Sequence, residues 1–135
     1  MSPRLLLDTH VLLRWLAEPK RLSREQQQLL SAAAKRGEVV AVSDVTLLEM
    51  AVLLGQGSTR TKLTFRELFA DLENNPSFRI LPVTFEIAAE IASLGGTPLR
   101  DPADRAIIAT ARVHKLKLLT LDQRIIDSKL VLVVD

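Results

Sequence analysis

Three short apolar runs without polar alternation constrain this chain most: Arg4 to Leu7, Val39 to Val42 and Lys117 to Thr120. A strand with one wet face alternates polar and apolar residues, so an unbroken apolar strand reads as buried on both faces, as in a parallel sheet covered by helices. Two further runs of β-forming composition are Phe78 to Val83 and Leu130 to Val134. Helical stretches lie between the runs. Several open on an N-cap signal: Ser23 with Gln26, Thr46 with Glu49, Thr64 with Glu67, and Asp101 followed by Pro102 at the first helical position. Alternating strands and helices predict an α/β fold with right-handed crossovers and helices on both faces of a parallel sheet. Ligands of such sheets bind beyond the carboxyl ends of the strands, so the polar groups gathered at that edge carry the information about function.

With 135 residues, 47% of them apolar and 25% charged, the chain suits one ordered domain spanning 1–135. Its linker-like stretches are two candidate loops, Gly55 to Lys62 and Gly95 to Arg100. The apolar runs are too short to span a bilayer, and Asp8 interrupts Leu5 to Leu7 before a signal-peptide core forms, so the expected address is the cytoplasm, away from membranes. Cysteine is absent, which removes disulfides, thiolate metal sites and cysteine nucleophiles. Any metal must be held by oxygen or imidazole.

Four carboxylates are expected at the carboxyl edge. Asp8 directly follows Leu5-Leu6-Leu7 and precedes a helix, which makes it either a helix cap or a site residue. Glu49 is the only charged residue between Val45 and Leu54, a helix apolar on nearly every side. Its bland role is the capping box with Thr46; against that, an ionised carboxylate among apolar neighbours is expensive unless paired or bound to a cation. Asp104 shares a helix face with Ile107, Ile108 and Ala111 and so points inward, whereas Asp101 before Pro102 has the position of an N-cap. Asp122 follows Leu118-Leu119-Thr120-Leu121, beyond a buried strand, where a turn residue is the alternative.

Four converging carboxylates repel by about 4 kcal/mol per pair at ~4 Å and an effective dielectric of ~20, so a cation is needed to hold them. Oxygen ligation with little imidazole selects Mg²⁺, then Mn²⁺, over zinc. The chemistry implied is phosphodiester hydrolysis: the metal polarises a phosphate oxygen and lowers the pKa of a water, and one or two ions would serve. Net charge is only +2, from 18 basic and 16 acidic residues, but neutralising four acids leaves 12 against 18 and about +6 elsewhere, which favours a polyanionic substrate.

With these residues in place the sequence resembles the PIN-domain ribonucleases, and among them the VapC toxins of toxin–antitoxin systems. The matching stretches are LLLDTHVLLRWL, VSDVTLLEMAVLL, FRILPVTFEIAAEIASL and DPADRAIIATARVHKLKLLTLDQRI, which together cover most of the chain; the first and last are the more specific. The resemblance implies a PIN-like three-layer α/β/α sandwich around a mainly parallel five-stranded sheet. It also implies Mg²⁺- or Mn²⁺-dependent endoribonuclease activity on RNA, a homodimer, and inhibition by a cognate antitoxin whose tail enters the active site. By position, Asp8, Glu49 and Asp104 become the core metal ligands and Asp122 completes a catalytic acidic quartet. Thr9 and Thr120 match small hydroxyl residues that hydrogen-bond an acid or a water on the ion. Asp44 departs from the pattern by adding a carboxylate where the family has a small or apolar residue, as a harmless N-cap or as a shift in local charge.

Other residues have plainer roles beside their functional ones. His10 follows the first acid and is a substrate contact or simply a first-turn helix residue. His114 is the other imidazole, more than a hundred positions away. Trp15 and Leu16 belong to the core or to a partner surface. Arg14, Lys20, Arg21, Arg24, Arg100 and Arg105 lie in segments near the edge and are candidates for phosphate contacts, against the alternative of solvated surface charge. With no Tyr and few aromatics, recognition of RNA would rest on shape and backbone rather than base stacking. A phosphatase of the aspartyl-phosphate type needs a second Asp two positions after the first, where His10 stands. A PIN nuclease of RNA processing without an antitoxin and a non-catalytic PIN binding module are the remaining alternatives; loss of one acid would mark the latter, and all four are present.

Overall fold

The structure is a computed structural model and describes residues 2–56, 64–96 and 99–135. Among these residues five strands, β1 (Leu5–Leu7), β2 (Val40–Ser43), β3 (Phe78–Leu81), β4 (Lys117–Leu119) and β5 (Val133–Val134), pair in the order β3-β2-β1-β4-β5, and every pairing is parallel. The chain builds outward from β1 to β3, then returns to the other side of β1 for β4 and β5. Crossovers therefore leave β1 and β4 in opposite directions, and the crevice between them at their carboxyl ends is the binding position of a doubly wound sheet.

Among the described residues seven α-helices cover the sheet: α1 (Thr9–Ala17), α2 (Arg24–Arg36), α3 (Asp44–Gly55), α4 (Phe65–Asn74), α5 (Phe85–Ser93), α6 (Pro102–His114) and α7 (Gln123–Ser128). Alternation along each strand divides the core in two. Leu7, Val40, Val42 and Leu119 face a cluster with Val11 and Leu12 of α1, Leu30 of α2, Met50 of α3 and Leu68 of α4. Leu6, Ala41 and Leu118 face the other, with Ile107, Ile108 and Ala111 of α6 and Ile125 of α7. Trp15 and Leu16 are half-buried against the first cluster. The three-layer α/β/α sandwich and parallel five-stranded sheet thus agree with expectation, as does burial of the central strands on both faces.

Most caps form as the residue types demand. Ser23 and Gln26, and Thr64 and Glu67, make full capping boxes, and Asp101 accepts from the amides of Ala103 and Asp104 ahead of Pro102 at the first helical position. The box expected of Thr46 and Glu49 does not form. Ser43 caps α3 instead, through the amide of Val45, so the helix starts earlier and both side chains are released for other partners. β3 stops at Leu81 because Pro82 has no amide to extend the ladder. Of the two expected loops, 57–62 and 97–98 lie outside the described residues. Among the described residues no helix is long and apolar enough to cross a membrane.

Candidate functional site

The carboxyl end of β1 is held more firmly than a loop. The amide of Asp8 donates to the carbonyl of Leu119 at 3.1 Å, which carries the β1–β4 ladder one residue past the strand. The Asp8 carboxylate then caps α1 by accepting from the Val11 amide at 2.8 Å. Capping and exposure toward the cleft are compatible because one oxygen meets the amide and the group keeps further lone pairs. Asp8 is only 7% exposed. Burial pushes its carboxyl above the ordinary value, against the Thr120 hydroxyl and the Val11 amide, which favour the ionised form, and Asp122 adds repulsion.

Asp8, Glu49, Asp104 and Asp122 come from four segments and line one cleft of about 340 Å³. Thr9, His10, Arg14, Asp101 and Arg124 share its walls. Glu49 is turned inward from α3 by Thr9, whose hydroxyl donates to its Oε1 at 2.5 Å and stands 3.0 Å from the hydroxyl of the buried Thr46. Thr120 is fully buried at the end of β4; its hydroxyl meets Asp8 and accepts from the Asp122 amide at 3.0 Å. Both threonines therefore orient acids.

Asp104 sits in the first turn of α6, half-buried. Burial first, then repulsion from Asp101, Asp122 and Glu49, pushes its carboxyl up to about 6, with Arg124 opposing. Asp122 caps α7 and also accepts from the Arg124 guanidinium at 2.8 Å, which holds it below the usual carboxylate range. The same guanidinium reaches Asp104 at 3.2 Å. Arg124 is thus the protein's own cation between two of the acids, and like charge at this edge is the reason it is held there. Among the described residues no three acidic or imidazole groups are gathered tightly enough to form a ready ligand set, since Thr9 holds Glu49 and Arg124 holds Asp104 and Asp122.

The structure separates the basic residues proposed for phosphate contact. Arg14 lines the cleft. Arg105 does not serve there: its guanidinium donates to the carbonyls of Leu99 at 2.7 Å and Gly95 at 2.8 Å, pinning the segment before α6. Arg21 pairs with Glu18 at 3.3 Å. Lys20, Arg24 and Arg100 are exposed and do not line the cleft. His10 is an exposed lining residue, and His114 ends α6 at the far end of the sheet. Asp44 accepts from the Val83 amide at 3.3 Å, tying α3 to the segment after β3, so its carboxylate lies outside the acidic cleft.

Two side chains that matter here had no sequence signal of their own. Arg124 reads as an ordinary surface cation until α6 and α7 meet. Gln26 reads as half of a capping box, yet it is fully buried and its amide donates to the carbonyls of Thr120 at 3.0 Å and Val134 at 2.8 Å. It anchors the backbone of the residue that orients Asp8.

The family model of the PIN domain matches residues 5–129. Ribonuclease VapC22 of Mycobacterium tuberculosis is 33% identical over 120 residues, covering 89% of this chain and 88% of that one. This chain belongs to the VapC group of PIN-domain proteins. Among solved PIN-like structures, FitAcB from Neisseria gonorrhoeae superposes with a TM-score of 0.69 at 26% identity, over 97% of this chain and 96% of that one. VapBC2 from Rickettsia felis, bound to a DNA fragment from its promoter, has the same TM-score at 14% identity over 96% of both chains, a likeness of fold. A toxin-antitoxin complex from Klebsiella pneumoniae matches at 0.60 and 24% identity over 88% of this chain and 87% of that one, again in fold. In this PIN domain four acids line one cleft, and the sheet's switch point lies under them.

The electrostatics of the cleft set a pH dependence. The Asp104 pKa rises from 3.8 to about 6 on folding, so the folded chain binds that proton more tightly than the unfolded one. The stability from this group is fully present below pH 3.8 and is lost as pH rises through about 6. Asp8 acts in the same direction, and the lowered Asp122 acts in the opposite one, in a window below its ordinary value. In metal-free buffer the melting temperature is expected to fall by roughly 2–5 °C between pH 5 and pH 7.5, after allowance for solvent screening. Scanning calorimetry at both pH values checks this; the slope flattens in Asp104→Asn.

Proposed function

We propose that this chain is an endoribonuclease that hydrolyses RNA phosphodiester bonds with Mg²⁺ or Mn²⁺ and acts as the toxin of a toxin–antitoxin pair. The observation that carries this reading is the meeting of Asp8, Glu49, Asp104 and Asp122 in one cleft at the carboxyl edge of β1 and β4. The donor set fits a hard divalent cation: carboxylate oxygens supported by hydroxyls, no thiol, one imidazole, and a charge that the protein itself has begun to neutralise with Arg124. When bound, such an ion supplies Lewis acidity toward a phosphate oxygen and a lowered pKa for water.

The chain's own residues do the rest. Asp8, Glu49, Asp104 and Asp122 would hold the cation, while Thr9 keeps Glu49 turned into the cleft and Thr120 keeps Asp8 aligned. Arg124, paired with Asp104 and Asp122 on the cleft wall, presents a guanidinium of the kind that binds a phosphate oxygen. Arg14 supplies a second cation on the wall.

Two partners belong to the same reading. The relative's name, ribonuclease, and the toxin-antitoxin complex among the similar structures support an RNA substrate and an antitoxin. A homodimer is supported by α3, where Leu48 is 66% exposed and Val52 follows one turn later. Val83, tied through its amide to Asp44 at the start of the same helix, and Phe85 are exposed as well.

The test is cleavage of labelled RNA by purified protein. Mn²⁺ or Mg²⁺ is expected to give cleavage, excess EDTA to stop it, and restored metal to recover it. Equal cleavage with and without EDTA would overturn the metal-dependent mechanism.

A further inference from the structure

At the opposite end of the sheet the charge reverses. The amino ends of β1 and β4 and the last turns of α2 border a second cleft of about 360 Å³. Its floor is aliphatic, from Leu5, Leu29 and Ala33. Its rim holds four cations, Arg4, Arg36, Lys115 and Lys117, against one acid, Glu38.

This clustering follows from the fold. Parallel pairing sets Lys117 beside Leu5, and the Lys117 amide donates to the Arg4 carbonyl at 3.0 Å, so two basic residues open adjacent central strands. Lys115 ends α6 in the left-handed conformation, φ 56°, which turns the chain into β4 within two residues and leaves Lys115 at the same edge. Among the described residues Arg4, Lys115 and Lys117 make no ion pair, and Arg36 approaches Glu38 only to 3.8 Å. Like charges crowded over an apolar floor focus a positive potential outward.

We propose that this cleft binds backbone phosphates of the RNA substrate away from the cleaved bond, so that long RNA is held at both ends of the sheet. The proposal rests on the ribonuclease reading. The sign of the rim selects an anion, and the absence of aromatic side chains in the lining selects phosphate contacts rather than base stacking. Arg4 and Asp8 are four strand steps apart, about 13 Å of backbone, and their clefts open from opposite ends of β1. An RNA touching both must pass around the edge of the domain, which a hexanucleotide cannot do while seated at the acids.

The experiment compares wild type with the double variant Lys115→Gln, Lys117→Gln on two random-sequence RNA pools, of about six and about sixty nucleotides, with Mn²⁺. The expected result is a KM for the long pool raised about tenfold with kcat unchanged, and no change for the short pool. Anisotropy titrations of the long pool in EDTA should show the salt slope reduced by about 1.4, for two lost single-strand contacts of about 0.7 each. Lys115→Arg with Lys117→Arg should restore both, and melting curves check folding. Unchanged long-pool kinetics, the outcome if the cleft takes an acidic peptide instead, overturns the proposal, as does an equal loss on both pools. Wild type that cleaves neither pool overturns the ribonuclease reading instead; the salt slope then decides the cleft alone, an unchanged slope counting against it.

Discussion

Asp104→Asn is expected to lower single-turnover RNA cleavage by about a thousandfold or more while leaving the fold intact. Removing one charged ligand from a metal cluster forfeits several kcal/mol of transition-state stabilisation, and about 4 kcal/mol corresponds to a thousandfold in rate. Folding survives because Asn keeps the shape, and the contact that starts α6 is made by the Asp104 backbone amide to Asp101. Stability should rise slightly in metal-free buffer, since a carboxylate crowded by Asp101, Asp122 and Glu49 has been removed. Asp101→Asn is the matched control. Its Oδ1 takes the amides of Ala103 and Asp104, a capping role that Asn performs as well, so its activity should stay within about tenfold of wild type. Cleavage kinetics and melting curves on both variants check the pair; a loss under tenfold in Asp104→Asn contradicts a ligand role.

Gln26→Leu should lower stability by about 2–3 kcal/mol, and with it the melting temperature by roughly 10 °C. The side chain has no access to solvent and its amide is the donor for the Thr120 carbonyl, which has no other donor among the described residues. Leucine leaves that carbonyl buried and unmatched, whereas the Val134 carbonyl keeps the Thr120 amide at 3.2 Å and suffers less. Because Thr120 orients Asp8, cleavage at a temperature where the variant is folded should also fall. Denaturant unfolding measures the first effect; a change under 0.5 kcal/mol would mean that water satisfies the carbonyl.

Much of the fold was legible because it is written in local patterns. Apolar runs without alternation placed β1, β2 and β4, and the spacing of Asp104 from Ile107, Ile108 and Ala111 placed its side chain on the inner face of α6. Boundaries were less legible. The run from Leu130 is paired as a strand only at Val133–Val134, since Lys129 in the left-handed region, φ 56°, redirects the chain after α7. The Thr46–Glu49 box was misread because Ser43 caps the helix first.

The four acids were legible because each follows an apolar run or lies on an inward helix face. The cap at Asp8 was legible too, whereas Asp122 read as a turn residue; capping and lining the cleft proved compatible at both. What holds them was not. Thr9 meets Glu49 across 40 residues, Arg124 meets Asp104 across 20, and Gln26 meets Thr120 across 94. Such pairings are consequences of the assembled sheet and have no signature in the segments that supply them.

The central claim is that this acidic cleft is a divalent cation site, and calorimetric titration of Mn²⁺ into the metal-free protein tests it most directly. The account predicts saturable binding in wild type that is weakened at least tenfold in Asp8→Asn and in Asp104→Asn, with both variants folded. Wild type that takes up no Mn²⁺ at millimolar concentration, or binds it as well after both substitutions, would contradict it.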